Sequence, residues 1–315
     1  MSDTVIEVKK ISKSFPGVQA LEDVSFEIER NSVHCIVGEN GAGKSTLIKI
    51  LAGVQEPSEG EILLNGESFT PKSTRDAMKQ GMSVLFQELN VVDQLTVEEN
   101  LTLGIENLKM GFIRKTPDVN KLEKILASMD RSIRLGDRVS SLSVAQKQVI
   151  EITKAIASDS DVIIMDEPTA AITEGEIKKL FKVIKNLRKQ NVTVIYISHR
   201  LPEIFEIGDR VTVMRDGHMI DTRRITDFAG CSEDIDPMTN EMVRSVDEDE
   251  ACKDLIRMML GKVVVTGYTP NPVDWDSVAL SVRGISNHKL KNVSFDLHAI
   301  ANRISSPACF DKSKT

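Results

Sequence analysis

Gly38-Glu39-Asn40-Gly41-Ala42-Gly43-Lys44-Ser45 fits the pattern G-x-x-x-x-G-K-[ST]. Glycines at these positions let the backbone curl until several N–H groups face one anion. A helix starting just after them adds its positive N-terminal end. Lys44 is then placed to neutralise the β- and γ-phosphates of a nucleoside triphosphate, and the Ser45 hydroxyl to ligate Mg²⁺. The apolar run Val162–Met165 ends in two carboxylates, Asp166 and Glu167, with Asp166 lying 122 residues after Lys44. A carboxylate at a strand end can hold a metal ion through water, and its neighbour can polarise an attacking water. Alone, such a pair is equally well a strand emerging into a polar turn at Pro168. Behind a phosphate loop it reads as the other half of a phosphoryl-transfer site.

The elements that must position these groups are legible from hydrophobic periodicity. Val5–Ile11, Val24–Arg30 and Ser32–Val37 alternate or run apolar at strand length. Ser45–Ala52 shows one helical face in Leu47, Ile50 and Leu51, closed by Gly53. Ile62–Leu64 and Met82–Phe86 read as strands, and the pattern turns helical from about Val97 to Asp137. Val144–Ser158 is a helix with Ser143 and Gln146 as its capping box. Val162–Met165, the amphipathic helix Glu174–Lys189 and Val192–Ile197 then alternate as strand, helix, strand, which implies a mostly parallel α/β sheet. Asp216-Gly217 between Val211–Met214 and His218–Asp221 signals a tight hairpin.

Composition excludes several classes. With 315 residues and 41% apolar content the chain can bury a sizeable core, but no apolar run approaches the length of a bilayer span. The N-terminus carries no secretory leader pattern, so a cytosolic protein is expected, with any membrane association made through a partner. Four cysteines (Cys35, Cys231, Cys252, Cys309) show neither metal-binding nor disulfide spacing, and Cys35 falls within the apolar run Val33–Val37. The stretch from Asp227 to Asp254 holds ten acidic and two basic residues, more than the whole net charge of −7. It is expected to be a solvated insert or linker, and no basic stripe points to nucleic acid.

The chain also repeats itself. Ile6-Glu7-Val8-Lys9-Lys10-Ile11-Ser12 is matched by Leu280-Ser281-Val282-Arg283-Gly284-Ile285-Ser286. In the same order, Leu21–Ile28 (LEDVSFEI) is matched by Leu290–Leu297 (LKNVSFDL). The second copy reaches no phosphate loop within His298–Thr315. The expected organisation is therefore a nucleotide-binding domain over 1–262, a linker over 263–277 containing Gly267, Pro270 and Pro272, and a truncated start of a second domain over 278–315.

Leu142-Ser143-Val144-Ala145-Gln146 resembles the LSGGQ-like signature of ATP-binding cassette (ABC) ATPases. Gln87 resembles that family's Q-loop glutamine, His199 its switch histidine, and Phe15 the aromatic that stacks on adenine. Pro168–Thr173 occupies the place of its D-loop. Ser12–Val18, Gly38–Thr46, the variant signature and Tyr196–Arg200 are similar to the ATPase subunits of bacterial monosaccharide importers, which carry two cassettes in one chain.

This resemblance implies a P-loop NTPase fold of the ABC type. Its core sheet would be mixed and mostly parallel, joined by an antiparallel β subdomain and a helical signature subdomain. ATP would be bound by Phe15, by Gly38, Glu39, Asn40, Gly41, Ala42, Gly43, Lys44, Ser45 and Thr46, and by Ser143, Ala145 and Gln146 acting on an opposite cassette. Mg²⁺ would lie among Ser45, Gln87 and Asp166, and catalysis would fall to Glu167, His199 and Gln87. Implied partners are a second cassette, as a homodimer or another chain, transmembrane permease subunits, and through them an extracytoplasmic sugar-binding protein, at the cytoplasmic face of the membrane. Ala145 replaces the signature's usual Gly, a departure expected to be tolerated. Three alternatives stay open: a nucleoside-type importer of the same branch, a soluble tandem-cassette ATPase acting on ribosomes or nucleic acid, and a cassette that binds ATP without turning it over.

Overall fold

The computed structural model describes residues 4–86, 89–103, 108–109, 112–113, 119–170, 172–235, 242–261, 273–285 and 292–300. They fall into two units, Met1–Val263 and Val264–Thr315.

In the first unit, β1 (Thr4–Phe15) and β2 (Val18–Glu29) form a long hairpin. Its two-residue turn is Pro16-Gly17, where Pro fixes φ and Gly17 takes φ 80°. β3 (Val33–Val37) follows, buried at every position, and leads through the glycine loop into α1 (Lys44–Leu51). β4 (Glu59–Leu64) and β5 (Glu67–Ser68) complete an antiparallel four-stranded sheet in the order β2-β1-β4-β5. Next come α2 (Thr74–Lys79), β6 (Met82–Leu85), α3 (Val97–Thr102), the short strands β7 (Leu108–Lys109) and β8 (Phe112–Ile113), α4 (Val119–Met129) and α5 (Val144–Ala157). β9 (Val162–Asp166), α6 (Glu174–Lys189), β10 (Thr193–Ile197), α7 (Leu201–Ile207), β11 (Arg210–Arg215) and β12 (His218–Arg224) build the rest of the second sheet, ordered β12-β11-β3-β10-β9-β6.

That six-stranded sheet is parallel except for the β11–β12 hairpin. Asp216 (φ 51°) and Gly217 (φ 82°) make the two left-handed positions a tight hairpin requires. Its central strands are apolar on both faces because both are covered. Val33, Cys35, Val37, Ile163, Met165, Val194 and Tyr196 point into a core shared with α5, α6 and α7. Ile36, Val162, Ile164, Ile195 and Ile197 point the other way, towards α1 and the antiparallel sheet. The mixed, mostly parallel core and the separate antiparallel sheet are as expected.

Three expectations need correction. The stretch from 97 to 137 is not continuously helical, since α3 ends at Thr102 and a two-residue strand pair intervenes before α4. The acidic stretch is not a linker either. It folds as β13 (Cys231–Ile235) paired with β14 (Met242–Val246), followed by α8 (Glu248–Leu260). Ala251 and Leu255 of α8 are buried in the core. Its acids have a local use: Asp247 accepts a hydrogen bond from the Glu250 N–H at 3.2 Å, and Glu248, Asp249 and Glu250 crowd the positive end of the helix. Finally, a strand begins at Val273, inside the segment 263–277 read as linker.

The second unit's described part is one hairpin, β15 (Val273–Ile285) with β16 (Val293–Ile300). It repeats the β1–β2 hairpin in geometry as well as sequence. Leu280, Val282 and Ile285 pair with Leu297, Phe295 and Val293, as Ile6, Val8 and Ile11 pair with Ile28, Phe26 and Val24. Lys10 (φ 50°) and Gly284 (φ 61°) share a left-handed bend, as do Asp23 (φ 49°) and Asn292 (φ 52°). The Lys10 N–H donates to Ser25 Oγ at 2.8 Å, and the Gly284 N–H donates to Ser294 Oγ at 2.9 Å. The copies differ in cover. Ile6, Phe26 and Ile28 are 0–6% exposed, whereas Leu280, Phe295 and Leu297 are 47–52% exposed.

Candidate functional site

The glycine loop leaves β3 at Gly38, and its path leaves no room for a side chain at Gly38 or Gly43. A Cβ on Gly38 would run into the backbone carbonyl of Met214, and one on Gly43 would lie 2.6 Å from Leu21 Cδ2 and 2.7 Å from the Ala20 carbonyl. Gly41 (φ 89°) and Gly43 (φ 98°) hold left-handed backbone, and Gly43 is the N-cap of α1. The α1 N-terminus has no side-chain cap, so its first N–H groups face the loop's concavity. Lys44 folds back over the loop, its Nζ donating to the carbonyls of Gly38 (2.7 Å) and Glu39 (3.0 Å). Burial lowers its pKa, against the pull of Glu167 and Asp166.

Asp166 ends β9, beside the end of β10 at Ile197. Burial, and then the neighbouring Glu167, raise its carboxyl pKa, while Lys44 and Lys49 oppose the rise. Glu167 takes a left-handed φ of 47°, an arrangement that costs a bulky residue about 1–3 kcal/mol. Its N–H is held by the Ile197 carbonyl at 2.9 Å. Its Oε1 lies 3.3 Å from His199 Nδ1. Lys44, Asp166, Glu167 and His199 therefore meet at one end of the parallel sheet, where α/β folds bind ligands.

The residues present fit a Mg²⁺-nucleotide. The loop closes tightly against its neighbours at Gly38 and Gly43, the Lys44 ammonium rests on its carbonyls, and Ser45 and Asp166 offer the hard oxygen donors Mg²⁺ prefers. Phe15 stands at the tip of the β1–β2 hairpin, 38% exposed, with Lys13 Nζ 5.5 Å from its ring centre. Gly38–Thr46 form the cradle and the start of α1. Gln87 lies outside the described residues.

Ser143, Ala145 and Gln146 form a separate feature at the N-terminus of α5. Ser143 Oγ accepts from the Gln146 N–H at 3.3 Å, and Gln146 Oε1 accepts from the Ser143 N–H at 3.0 Å, the reciprocal cap expected. They line a cleft of about 280 Å³ with Asp130, Glu176 and Lys179, and the Ala145 methyl is buried against it. No P-loop residue lines that cleft.

Motif reading passed over three polar residues. Gln148, one turn into α5, donates from Nε2 to the Pro168 carbonyl and so ties the signature helix to the turn after Glu167. Glu203, on α7, accepts hydroxyl hydrogen bonds from Thr169 and Ser198. Glu151 of α5 accepts the Asn90 N–H at 2.8 Å, just beyond the Q-loop position. Glu151 and Glu203 stand between apolar neighbours, the one sequence signal that could have found them; Gln148, beside Lys147, carries none.

Burial pushes the Glu151 carboxyl up to about 7, the Asn90 hydrogen bond and Lys154 pulling the other way. The folded state thus binds the extra proton between the unfolded value near 4.5 and about 7, and stability falls as pH rises through that window. Glu151→Gln should therefore be more stable than wild type at pH 8, by up to about 3 kcal/mol, with the gap closing towards pH 4.5. Urea unfolding at pH 5 and pH 8 measures this. An equal gap at both pH values would assign the effect to packing.

Comparison with known proteins agrees with this geometry. The ABC transporter family profile matches residues 21–170. The galactose/methyl galactoside import ATP-binding protein MglA of Clostridium perfringens (strain 13) is 40% identical over 298 residues, covering 94% of this chain and 54% of that protein. The ribose import ATP-binding protein RbsA of Shouchella clausii is 39% identical over 297 residues, covering 93% and 55%. The chain thus spans about half the length of these relatives. Among solved structures, a nucleotide-free ATP-binding cassette from an ABC transporter is 28% identical at TM-score 0.64, covering 70% of this chain and 91% of that one. The ATP-binding cassette MJ1267 in its ADP conformation is 26% identical at TM-score 0.66, covering 82% and 99%. The ribosome or nucleic-acid reading is not favoured by these relatives. With the glycine loop, the paired carboxylates and the capped α5 helix all in one sheet-and-helix framework, the chain carries an ATP-binding cassette domain of the ABC transporter family, matched over residues 21–170.

Proposed function

We propose that the chain is the ATP-hydrolysing part of an importer that takes up a monosaccharide of the galactose or ribose class. The observation that carries it is the meeting of Lys44, Asp166, Glu167 and His199 at the open end of the sheet, in a chain about 40% identical to sugar-import ATP-binding proteins. The cassette proper is 1–262, and the unit around β15 and β16 is the start of a second cassette. Its support is the shared register, bends and serine hydrogen bond of the two hairpins. Among the described residues no helix is long and apolar enough to cross a membrane, so permease subunits would supply the translocation path.

In the proposed mechanism the Gly38–Lys44 N–H groups and the end of α1 hold the phosphates. Lys44 would exchange its two loop carbonyls for phosphate oxygens, and Ser45, Asp166 and Gln87 would hold Mg²⁺, which when bound would supply positive charge against the phosphates. Glu167 orients and polarises the attacking water, and His199 steadies the carboxylate and the transferred phosphoryl group. The Ser143 end of α5 serves the nucleotide of an opposing cassette, consistent with its separation from the P-loop. Phe15, exposed at its hairpin tip, offers a face to adenine. ATP closes the pair and hydrolysis reopens it, a ligand-driven population shift.

A site completed in trans makes turnover second order in protein. ATP hydrolysis by the chain alone should rise with about the square of its concentration, until dimerisation saturates. A rate per molecule that is constant over a wide dilution series would sink the shared-site mechanism.

A further inference from the structure

Glu203, in the first turn of α7, is buried to 6% exposure yet carries a carboxylate. Its Oε2 accepts three hydroxyl hydrogen bonds: from Tyr196 at 2.7 Å, Ser198 at 2.8 Å and Thr169 at 2.9 Å. Its Oε1 makes no hydrogen bond and lies 3.5 Å from Arg200 Nη1. Burying a carboxylate is costly unless donors surround it, and here three hydroxyls and a guanidinium do. Burial and the adjacent Glu203 also push the Tyr196 hydroxyl pKa up, so it stays a donor.

The three donors come from the two segments that carry the reacting groups. Thr169 is two residues beyond Glu167. Tyr196 and Ser198 flank Ile197, whose carbonyl holds the Glu167 N–H. Ser198 precedes His199, and its Oγ also accepts the Arg200 N–H at 3.0 Å. One carboxylate oxygen therefore clamps the loop after β9 to the loop after β10. The carboxylate's charge strengthens all three bonds; an amide there would lose that charge and would set either an NH₂ group against Arg200 or, flipped, against the three hydroxyls.

We propose that Glu203 is a positioning residue, fixing the Glu167–His199 pair in its 3.3 Å geometry for hydrolysis. This role rests on the one proposed above for Glu167 and His199. The nearest alternative is a buried carboxylate that only stabilises α7.

The test follows the His199 ring nitrogens by ¹⁵N NMR in the intact chain, with signals assigned by their loss in His199→Gln. Glu203→Gln and Thr169→Val should both shift those signals and lower kcat by about 10–100-fold, with KM for ATP within about twofold. Thr169→Ser, which restores the hydroxyl, should recover both. His199 signals that stay in place in both folded variants would overturn the proposal, as would a Thr169→Ser variant as defective as Thr169→Val. Should Glu203→Gln not fold, the Thr169 pair decides. A wild-type chain that turns over no ATP at any concentration would remove the hydrolysis reading alone, and the ring signals would still decide the clamp.

Discussion

Glu167→Gln is expected to lower steady-state ATP turnover by about 10²–10⁴-fold while leaving Mg-ATP binding within about twofold of wild type. Glutamine keeps the volume and one carbonyl oxygen, so the loop after β9 need not move. The backbone bond from the Glu167 N–H to the Ile197 carbonyl at 2.9 Å is untouched. The variant loses the negative charge that polarises water and that faces His199 at 3.3 Å. Since no charge is removed from the phosphate cradle, affinity should stay or rise slightly. Single-turnover hydrolysis beside equilibrium binding of a fluorescent ATP analogue separates the two effects. Turnover equal to wild type would remove Glu167 from the base role, and a parallel loss of binding would make it a structural residue.

Lys44→Ala is expected to weaken nucleotide binding by at least about 30-fold, the loss of about 2 kcal/mol from charge-assisted hydrogen bonds to phosphate. Lys44 rests on the Gly38 and Glu39 carbonyls, partners that a phosphate can replace without moving the loop. Burial lowers its pKa against the pull of Glu167 and Asp166, and an arriving polyanion would favour the charged form further. Without Lys44, Asp166 and Glu167 lose the cation that faces them. The triphosphate should suffer most and an uncharged nucleoside least. Titration calorimetry with ATP, ADP and adenosine reads that gradient directly. Equal losses for all three would mean the loop itself had collapsed.

Half the candidate site was legible from residue order because its chemistry is local. A phosphate cradle is made by one loop, so Gly38–Ser45 declares it, and the structure adds that Gly38 and Gly43 are also required by their neighbours Met214, Ala20 and Leu21. The α5 cap likewise needs only Ser143 and a Gln three residues on. The acidic stretch misled because charge counts carry no geometry. Four of its ten acids, Asp247 to Glu250, serve the start of α8, whose Ala251 and Leu255 enter the core.

The sequence by itself determined the phosphate loop and the acidic strand end, each written within one segment, and the parallel sheet and the internal repeat, each written in the order of segments along the chain. Only the tertiary structure decided that Glu167 faces His199, that Gln148 reaches Pro168, and that Glu203 joins the two loops. Those partners are set by the parallel register of β9 and β10 and the path of α7. Contacts between segments follow from how apolar faces pack, and no single segment encodes that.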